Sequence, residues 1–183
     1  MYMTNKKRTS FTIAGIGLII VALIVGLFIY HQQPKPIALQ YHPVGACQAF
    51  TKDDAKTILG SEIIGGDDTE AVLSGDTATS KCAYTDKNLD NMAALGIAIR
   101  TGVRDAGVQK NKDDFTASRA ANTVEDVPAL GEAAFYNKTS GMLNIRDGIV
   151  WIMINYTVGG ELTGDSQQKA VQAAQLIMGD NNV

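Results

Sequence analysis

The sequence predicts an α+β fold: an N-terminal transmembrane helix, then an antiparallel sheet packed with three or so helices and cross-linked by one disulfide. Three observations predict it. An apolar run over residues 11–30 contains no charged side chain, and both cysteines, Cys47 and Cys82, come after that run. The rest of the chain shows the order helix, strand, strand, helix, three strands, helix, which is typical of helices packed on an antiparallel sheet.

The apolar run has the length of a membrane anchor. At roughly 1.5 Å per residue, residues 11–30 reach about 30 Å, the thickness of the hydrocarbon core of a bilayer. No small-residue cleavage site follows the run, which favours an uncleaved anchor over a signal peptide. The basic cluster at residues 6–8 predicts that residues 1–10 are cytoplasmic and that the C-terminal domain is extracytoplasmic, at the cell membrane.

Cysteine usage and charge agree with this topology. Disulfides persist outside the cytoplasm, so Cys47 and Cys82 are predicted to bond to each other. The chain has a net charge of −3, and because the basic cluster precedes the anchor, the residues after it carry about −6. That sign repels nucleic acid and anionic lipid headgroups. A nucleic-acid partner is therefore not expected.

A linker and a domain are predicted after the anchor. Residues 31–46 contain Pro34, Pro36 and Pro43, which favour extended backbone and end the membrane helix. Residues 47–179 are predicted to form the extracytoplasmic α+β domain.

The domain is predicted to open with a short helix. Thr51 suits the N-cap, Asp54 stands at the third helical position, and Gly60 suits the C-terminal end. Residues 61–80 are rich in Gly, Asp, Ser and Thr, which predicts a loop with one short strand.

Two strands and a helix are predicted next. Residues 82–84 indicate one strand, and residues 94–99 alternate small and large side chains, which indicates a second strand with one better-packed face. Residues 113–121 are predicted to be helical. Their expected buried side chains are Phe115, Ala117, Ala120 and Ala121.

The C-terminal third predicts an antiparallel meander and a final helix. Strands are expected at residues 133–137, 142–146 and 149–158, and the second turn is Asp147-Gly148, a preferred hairpin dipeptide. The final helix is predicted to begin near residues 165–166.

The last strand of the meander has two distinct faces. Period-two alternation places Val150, Ile152, Ile154 and Tyr156 on one face. Trp151 and Met153 then point to the other face, where either a helix covers them or they form a surface for a partner.

Several landmarks resemble a family of actinobacterial envelope lipoproteins catalogued mainly as domains of unknown function, some of them similar in fold to PsbP-like α+β proteins. The matching residues are Cys47, Leu59-Gly60, Cys82-Ala-Tyr84 and Gly131-Glu-Ala-Ala134. The resemblance covers about residues 47–178 and implies an envelope location without implying any catalytic residue. One departure is that the apolar run ends too far before Cys47 for that cysteine to be lipidated.

The sequence offers no obvious catalytic, cofactor or metal site. Both histidines, His31 and His42, fall in the predicted linker. Ser166 and Lys169 have the Ser-x-x-Lys spacing of penicillin-recognising enzymes, but Ser166 is better interpreted as the start of a helix. The acidic stretch at residues 86–91 lacks the glycine and the glutamate of a calcium loop. The chain is therefore predicted not to be an enzyme.

The leading functional hypothesis is a membrane-anchored binding or interaction module of the cell envelope, with a protein or cell-wall ligand as partner. Trp151 and Met153 are its possible partner surface. The alternative is a minor type IV pilin-like structural subunit, because residues 10–13, Ser-Phe-Thr-Ile, resemble a prepilin cleavage junction. A third hypothesis is an accessory subunit of a membrane complex, since Ala22 and Gly26 have the small-xxx-small spacing of close helix contacts.

Overall fold

The computed structural model describes residues 38–60, 62–67, 69–88, 92–121 and 123–179. The predicted anchor at residues 11–30 lies outside these ranges, as do residues 1–10 and residues 31–37 of the predicted linker. Among the residues that the structure describes, no helix is long and apolar enough to cross a membrane.

Four helices and eight strands make up the described part of the chain, which confirms the α+β class. The N-terminal part contains α1 (Ala46–Ala49), α2 (Lys52–Leu59), β1 (Ile63–Gly65), β2 (Val72–Ser74), β3 (Thr77–Asp86) and β4 (Ala93–Gly102). The C-terminal part contains α3 (Asp105–Ala120), β5 (Val124–Asp126), β6 (Ala133–Asn137), β7 (Met142–Asp147), β8 (Val150–Val158) and α4 (Ser166–Gly179).

The eight strands form one antiparallel sheet. The order across it is β1-β3-β4-β8-β7-β6-β5, and β2 also pairs with β3, so that β1 and β2 share one edge. The long strands β3, β4 and β8 lie side by side, with Ala98 opposite Lys81 on one side and Met153 on the other. Because successive side chains alternate, each of these strands presents one set of side chains to each face of the sheet.

The first face of the sheet carries the main hydrophobic core, which packs against α1, α2 and α4. Buried side chains from the sheet include Leu95, Ile97, Ile99, Leu143, Ile145, Ile152, Ile154 and Tyr156. The helix α4 contributes Ala170, Ala173, Ala174 and Ile177, each fully buried, at the spacing of one helical face. The predicted division of β8 into two faces is thus confirmed.

The predicted disulfide is confirmed and ties α1 to the sheet. Cys47 and Cys82 are bonded, with their Cα atoms 5.1 Å apart. Two hydrogen bonds support the same junction: the Ala46 amide donates to Ser80 Oγ at 3.0 Å, and the hydroxyl of Tyr84 donates to the Phe50 carbonyl at 2.7 Å. Chain segments more than thirty residues apart are therefore held together by covalent and polar contacts.

The predicted start of α2 is also confirmed. The Asp54 amide donates to Thr51 Oγ1, while the Thr51 amide donates to the Asp54 carboxylate at 2.8 Å. This reciprocal pair is a capping box, which satisfies amides that the first helical turn leaves without partners.

The chain before α1 also contacts the domain. The amides of Gln40 and Tyr41 both donate to the Val103 carbonyl, at 2.8 and 3.1 Å. The Tyr41 hydroxyl donates to the carboxylate of Asp105 at 2.8 Å. The second half of the predicted linker therefore lies against the end of β4 and the start of α3.

Three expectations from the sequence are wrong in detail. Residues 61–80 contain two short strands, β1 and β2, and the beginning of β3, because pairing with the long strand β3 orders apolar patches too short to form a recognisable pattern in a polar segment. The short strand β5 has no expected counterpart. Helix α3 begins at Asp105 rather than residue 113, and Ala117, Ala120 and Ala121 are exposed on it.

Candidate functional site on the open face of the sheet

Helix α3 covers only part of the second face of the sheet. It lies over the region of Trp151, whose ring packs edge-on against Phe115 with centroids 6.1 Å apart. The indole nitrogen of Trp151 donates to Asn144 Oδ1 at 3.1 Å. Phe115 also packs on Phe135, with centroids 4.9 Å apart. These aromatic contacts form a second, smaller core beneath α3.

Charged contacts fix α3 at the border of the covered region. The guanidinium of Arg100 donates to Asp114 at 2.7 Å and stands 5.8 Å from the Trp151 ring centroid. Lys110 donates to the same carboxylate at 3.0 Å. The hydrogen bond from Arg100, followed by that from Lys110, lowers the pKa of Asp114. The carboxylate is therefore held ionised between two cations.

Beyond Arg100 the second face is uncovered, and it forms a trough of about 450 Å³. We call this trough, with its lining residues, the open-face trough. Its sheet residues are Lys81, Ala83, Gly96, Ala98, Met142, Met153 and Asn155, and its outer rim is formed by Gly65, Gly66, Asp67 and Thr69. The volume lies within the range of pockets that hold small ligands, and most of the lining is apolar.

The floor of the trough is made of the small side chains of β4. Gly96 lies opposite Ala83 on β3 and Asn155 on β8, and a Cβ on Gly96 would overlap the amide oxygen of Asn155. Ala98 is the next residue of β4 on this face. The small residues Gly96, Ala98 and Ala83 lie between longer side chains, those of Lys81, Met153 and Asn155, which produces the concave shape.

The outer rim is positioned by two glycines with left-handed backbone. Gly65 and Gly66 have φ values of +97° and +87°, a region that side chains with a Cβ rarely adopt. The Gly66 amide donates to the Ala83 carbonyl at 3.0 Å. Thr69 Oγ1 accepts from the Lys81 amide and donates to the Lys81 carbonyl. The exposed edge of β3 is thus covered in its middle by this rim.

Lys81 stands where two depressions of the surface meet. A second depression of about 510 Å³ shares Lys81 and Thr69 with the open-face trough and extends towards Val72 on β2. Val72 is 70% exposed, an unusually high value for an apolar side chain in a strand. Lys81 makes no ion pair with any residue that the structure describes.

The structure separates the two residues of the predicted partner surface. Met153 lines the open-face trough, whereas Trp151 lies under α3. Sequence reasoning did not single out Lys81, Ala98 and Met142 as site residues. The alternation of small and large side chains at residues 94–99 is the signal that marks this floor, although by itself it indicates only that one face of the strand packs better.

The other residues considered for chemistry take part in local structure. Ser166 Oγ accepts from the Thr163 amide at 2.8 Å, and Lys169 Nζ donates to the Ile58 carbonyl at 3.3 Å, which links α4 to the end of α2. Asp86 accepts from the amides of Asn88 and Ala93. Within the described ranges, no group of three or more His, Cys, Asp or Glu residues is arranged to hold a metal ion.

Comparisons of this chain with family models, with curated proteins and with solved structures find no match. A function for this chain is therefore inferred from the geometry of the open-face trough.

Proposed function

We propose that this protein is a non-enzymatic, membrane-anchored binding module of the cell envelope, and that the open-face trough is its binding surface. The observation that carries the proposal is the uncovered apolar floor around Ala98 and Met153, on a sheet whose other face is fully packed. A concave apolar surface with few polar groups is the usual form of a binding pocket.

The placement of α3 supports the assignment of the trough as the binding surface. The helix is held at its border by the Arg100–Asp114 ion pair. Its Phe115 packs against Trp151, whereas Met153 lines the trough. Exposed apolar surface in a folded domain carries a cost in solubility unless something binds there. Methionine side chains suit such a surface because they are flexible and polarisable.

The membrane location in this proposal is supported by the sequence alone. Residues 11–30 have the length and composition of a transmembrane helix, and the basic cluster before them predicts a cytoplasmic N-terminus. The disulfide fits an oxidising compartment outside the membrane.

Site-specific photocrosslinking tests the proposed binding surface. Met153 is replaced by p-benzoylphenylalanine in the full chain, which is expressed in its native membrane and irradiated. We expect a crosslinked adduct from this position. The matched control carries the same group at Thr116, which is exposed on α3 away from the trough, and is expected to give none. Equal adducts from both positions, or none from position 153, would refute the assignment of the trough.

A further inference from the structure

We propose that the open-face trough binds the alkyl chain of a single-chain carboxylate amphiphile, with the carboxylate at Lys81 and the chain along β4. This inference rests on the proposed function and specifies the ligand class. Three features of the trough support it: its shape, the hydrogen bonds already made by its backbone groups, and the charge at its rim.

The shape of the trough suits one flexible chain. Ala94, Gly96 and Ala98 follow each other on the open face of β4, and at about 3.4 Å per residue they span roughly 14 Å. The neighbouring strands β3 and β8 lie about 10 Å apart across β4. Met142 and Met153 form one wall of this space. A single alkyl chain fills a long, narrow volume of this kind.

The backbone around the trough disfavours a peptide as occupant. Residues of β4 pair with β3 on one side and with β8 on the other. At the edge of β3, the amide and carbonyl of Lys81 bond to Thr69 Oγ1, and the Ala83 carbonyl accepts from Gly66. A bound peptide would bury its own amides and carbonyls without partners, which is costly, whereas an alkyl chain has no such groups.

The charge distribution favours one monovalent anion at Lys81. Arg100 and Lys110, at the α3 border, already share the carboxylate of Asp114. Lys81 forms no ion pair within the described ranges. The acidic residues nearby are Asp67 on the trough rim and Glu70 in the adjoining depression. Because the chain after the anchor carries about −6, a polyanionic head or an anionic membrane surface would be repelled. A single carboxylate meets one accessible cation there.

Photolabelling of the full chain in its native membrane tests the proposal. The probe is a long-chain fatty acid with a diazirine in its alkyl chain, and labelled peptides are identified by mass spectrometry. We expect label on the peptides that contain Met142 and Met153, and competition by unlabelled fatty acid. Label confined to residues 11–30, or competition by a two-chain phospholipid but not by fatty acid, would overturn the proposal.

Two variants with matched controls sharpen the test. Ala98→Phe fills the floor of the trough and should reduce labelling about tenfold, because the bound alkyl chain of the probe loses the burial of about two methylenes. Ala117→Phe, on the exposed face of α3, should leave labelling unchanged. Intact disulfide and unchanged thermal unfolding verify that each variant is folded. Equal labelling of Ala98→Phe and the unsubstituted chain would refute the proposal.

Lys81→Glu tests the position of the carboxylate. This variant should raise about threefold the concentration of unlabelled fatty acid needed to suppress labelling by the photoprobe, since an exposed ion pair contributes less than about 1 kcal/mol. The concentration of the matching fatty alcohol needed for the same suppression should stay unchanged. Lys52→Glu, at the exposed start of α2, makes the same change in net charge and should have no effect. Equal effects of the two variants would overturn the role of Lys81.

The photocrosslinking at position 153 separates the ligand class from the proposed function. If that position captures a protein while the fatty-acid probe gives no label in the trough, the ligand class is wrong and the binding function stands. If neither reagent reacts at the trough, both the ligand class and the assignment of this surface are wrong.

Discussion

At the residue scale, two glycines allow α3 to approach the sheet closely. A Cβ on Gly107 would overlap the carbonyl oxygen of Asp76, and a Cβ on Gly102 would overlap the backbone nitrogen of Val108. Both obstacles are main-chain atoms, so no side-chain rotation relieves them. The position of α3, and with it the border of the open-face trough, therefore depends on the absence of side chains at these two points.

We expect Gly107→Ala to destabilise the domain by about 1–3 kcal/mol, because overpacking at a helix–strand contact forces the backbone to shift. The free energy of unfolding in urea measures the change. Gly164 serves as the control, since a Cβ there has nothing within 4 Å, and Gly164→Ala should change stability by less than about 0.5 kcal/mol. Equal stabilities of the two variants would contradict the close approach.

A pair of tyrosines offers a second test at this scale. The hydroxyl of Tyr84 is buried and donates to the Phe50 carbonyl, whereas that of Tyr41 is exposed and donates to Asp105. Tyr84→Phe should cost about 1–3 kcal/mol, because it leaves a buried carbonyl without its partner. Tyr41→Phe should cost less than about 1 kcal/mol, since water replaces the lost contact. Thermal unfolding of both variants gives the comparison.

At the scale of elements, α3 shows why its length could not be inferred from apolar periodicity. Its buried residues are Gly107, Asn111 and Phe115, at helical spacing, and only the last is a large apolar residue. Asn111 Nδ2 donates to the carbonyls of Arg100 and Ile149, at 3.0 and 3.2 Å. The first two turns of α3 thus contact the sheet through backbone and an amide, which leave no hydrophobic pattern in the sequence.

The ion pairs of α3 predict a dependence of stability on pH. Because the hydrogen bonds from Arg100 and Lys110 lower the pKa of Asp114, its contribution to stability is present above the ordinary value of 3.8. That contribution is lost as the pH falls through the lower pKa of the folded state. We expect Asp114→Asn to lower the unfolding free energy at neutral pH and to flatten its decrease below that ordinary value.

Asp113→Asn is the matched control for this measurement. The carboxylate of Asp113 accepts from the neutral amide of Gln109 at 2.9 Å, so its removal breaks no ion pair within the described ranges. Urea unfolding of both variants across a series of acidic and neutral buffers gives the two profiles. Identical profiles would show that the pair on Asp114 does not hold α3.

At the scale of the whole molecule, the disulfide connects the chain before the sheet to the long strand β3. Cys47 and Cys82 are 35 residues apart in sequence, and the segment between them includes α2 and both short edge strands. The bond restricts the unfolded chain over a region whose edge strands have only three residues each. The edge strands and the outer rim of the trough therefore depend on this covalent link.

Replacement of both cysteines by alanine should lower the free energy of unfolding by about 2–4 kcal/mol, the usual effect of closing a loop of this length. Chemical denaturation of the oxidised protein, the reduced protein and the double variant makes the comparison. We expect the reduced protein to resemble the variant. Titratable free thiols in protein isolated from its native compartment would contradict an extracytoplasmic location.

The predicted anchor belongs to the same scale. We expect the full chain to stay with the membrane after an alkaline carbonate wash, because an apolar segment as long as residues 11–30 inserts stably. Ile20→Arg places a charge at the centre of that segment and should release a fraction of the protein, at a cost of about 2.5–3.5 kcal/mol. Complete release of the unsubstituted chain would refute the anchor.

Sequence patterns alone are enough to predict the elements that local rules govern. The hairpin at Asp147-Gly148 follows from turn chemistry, the start of α2 follows from its capping residues, and the two faces of β8 follow from period-two alternation. Each of these signals acts between residues close together in the chain. For that reason they can be interpreted without knowledge of the neighbours that each element will have in the fold.

The part of the second face that stays open depends on contacts between distant residues, which no local pattern contains. Alternation places Trp151 and Met153 on the same face, and nothing local distinguishes them. The difference comes from α3, which reaches Trp151 through Phe115 and ends its coverage at the Arg100–Asp114 pair. The path of a helix across a sheet depends on close approaches such as those at Gly102 and Gly107, between residues that become neighbours only when the chain has folded.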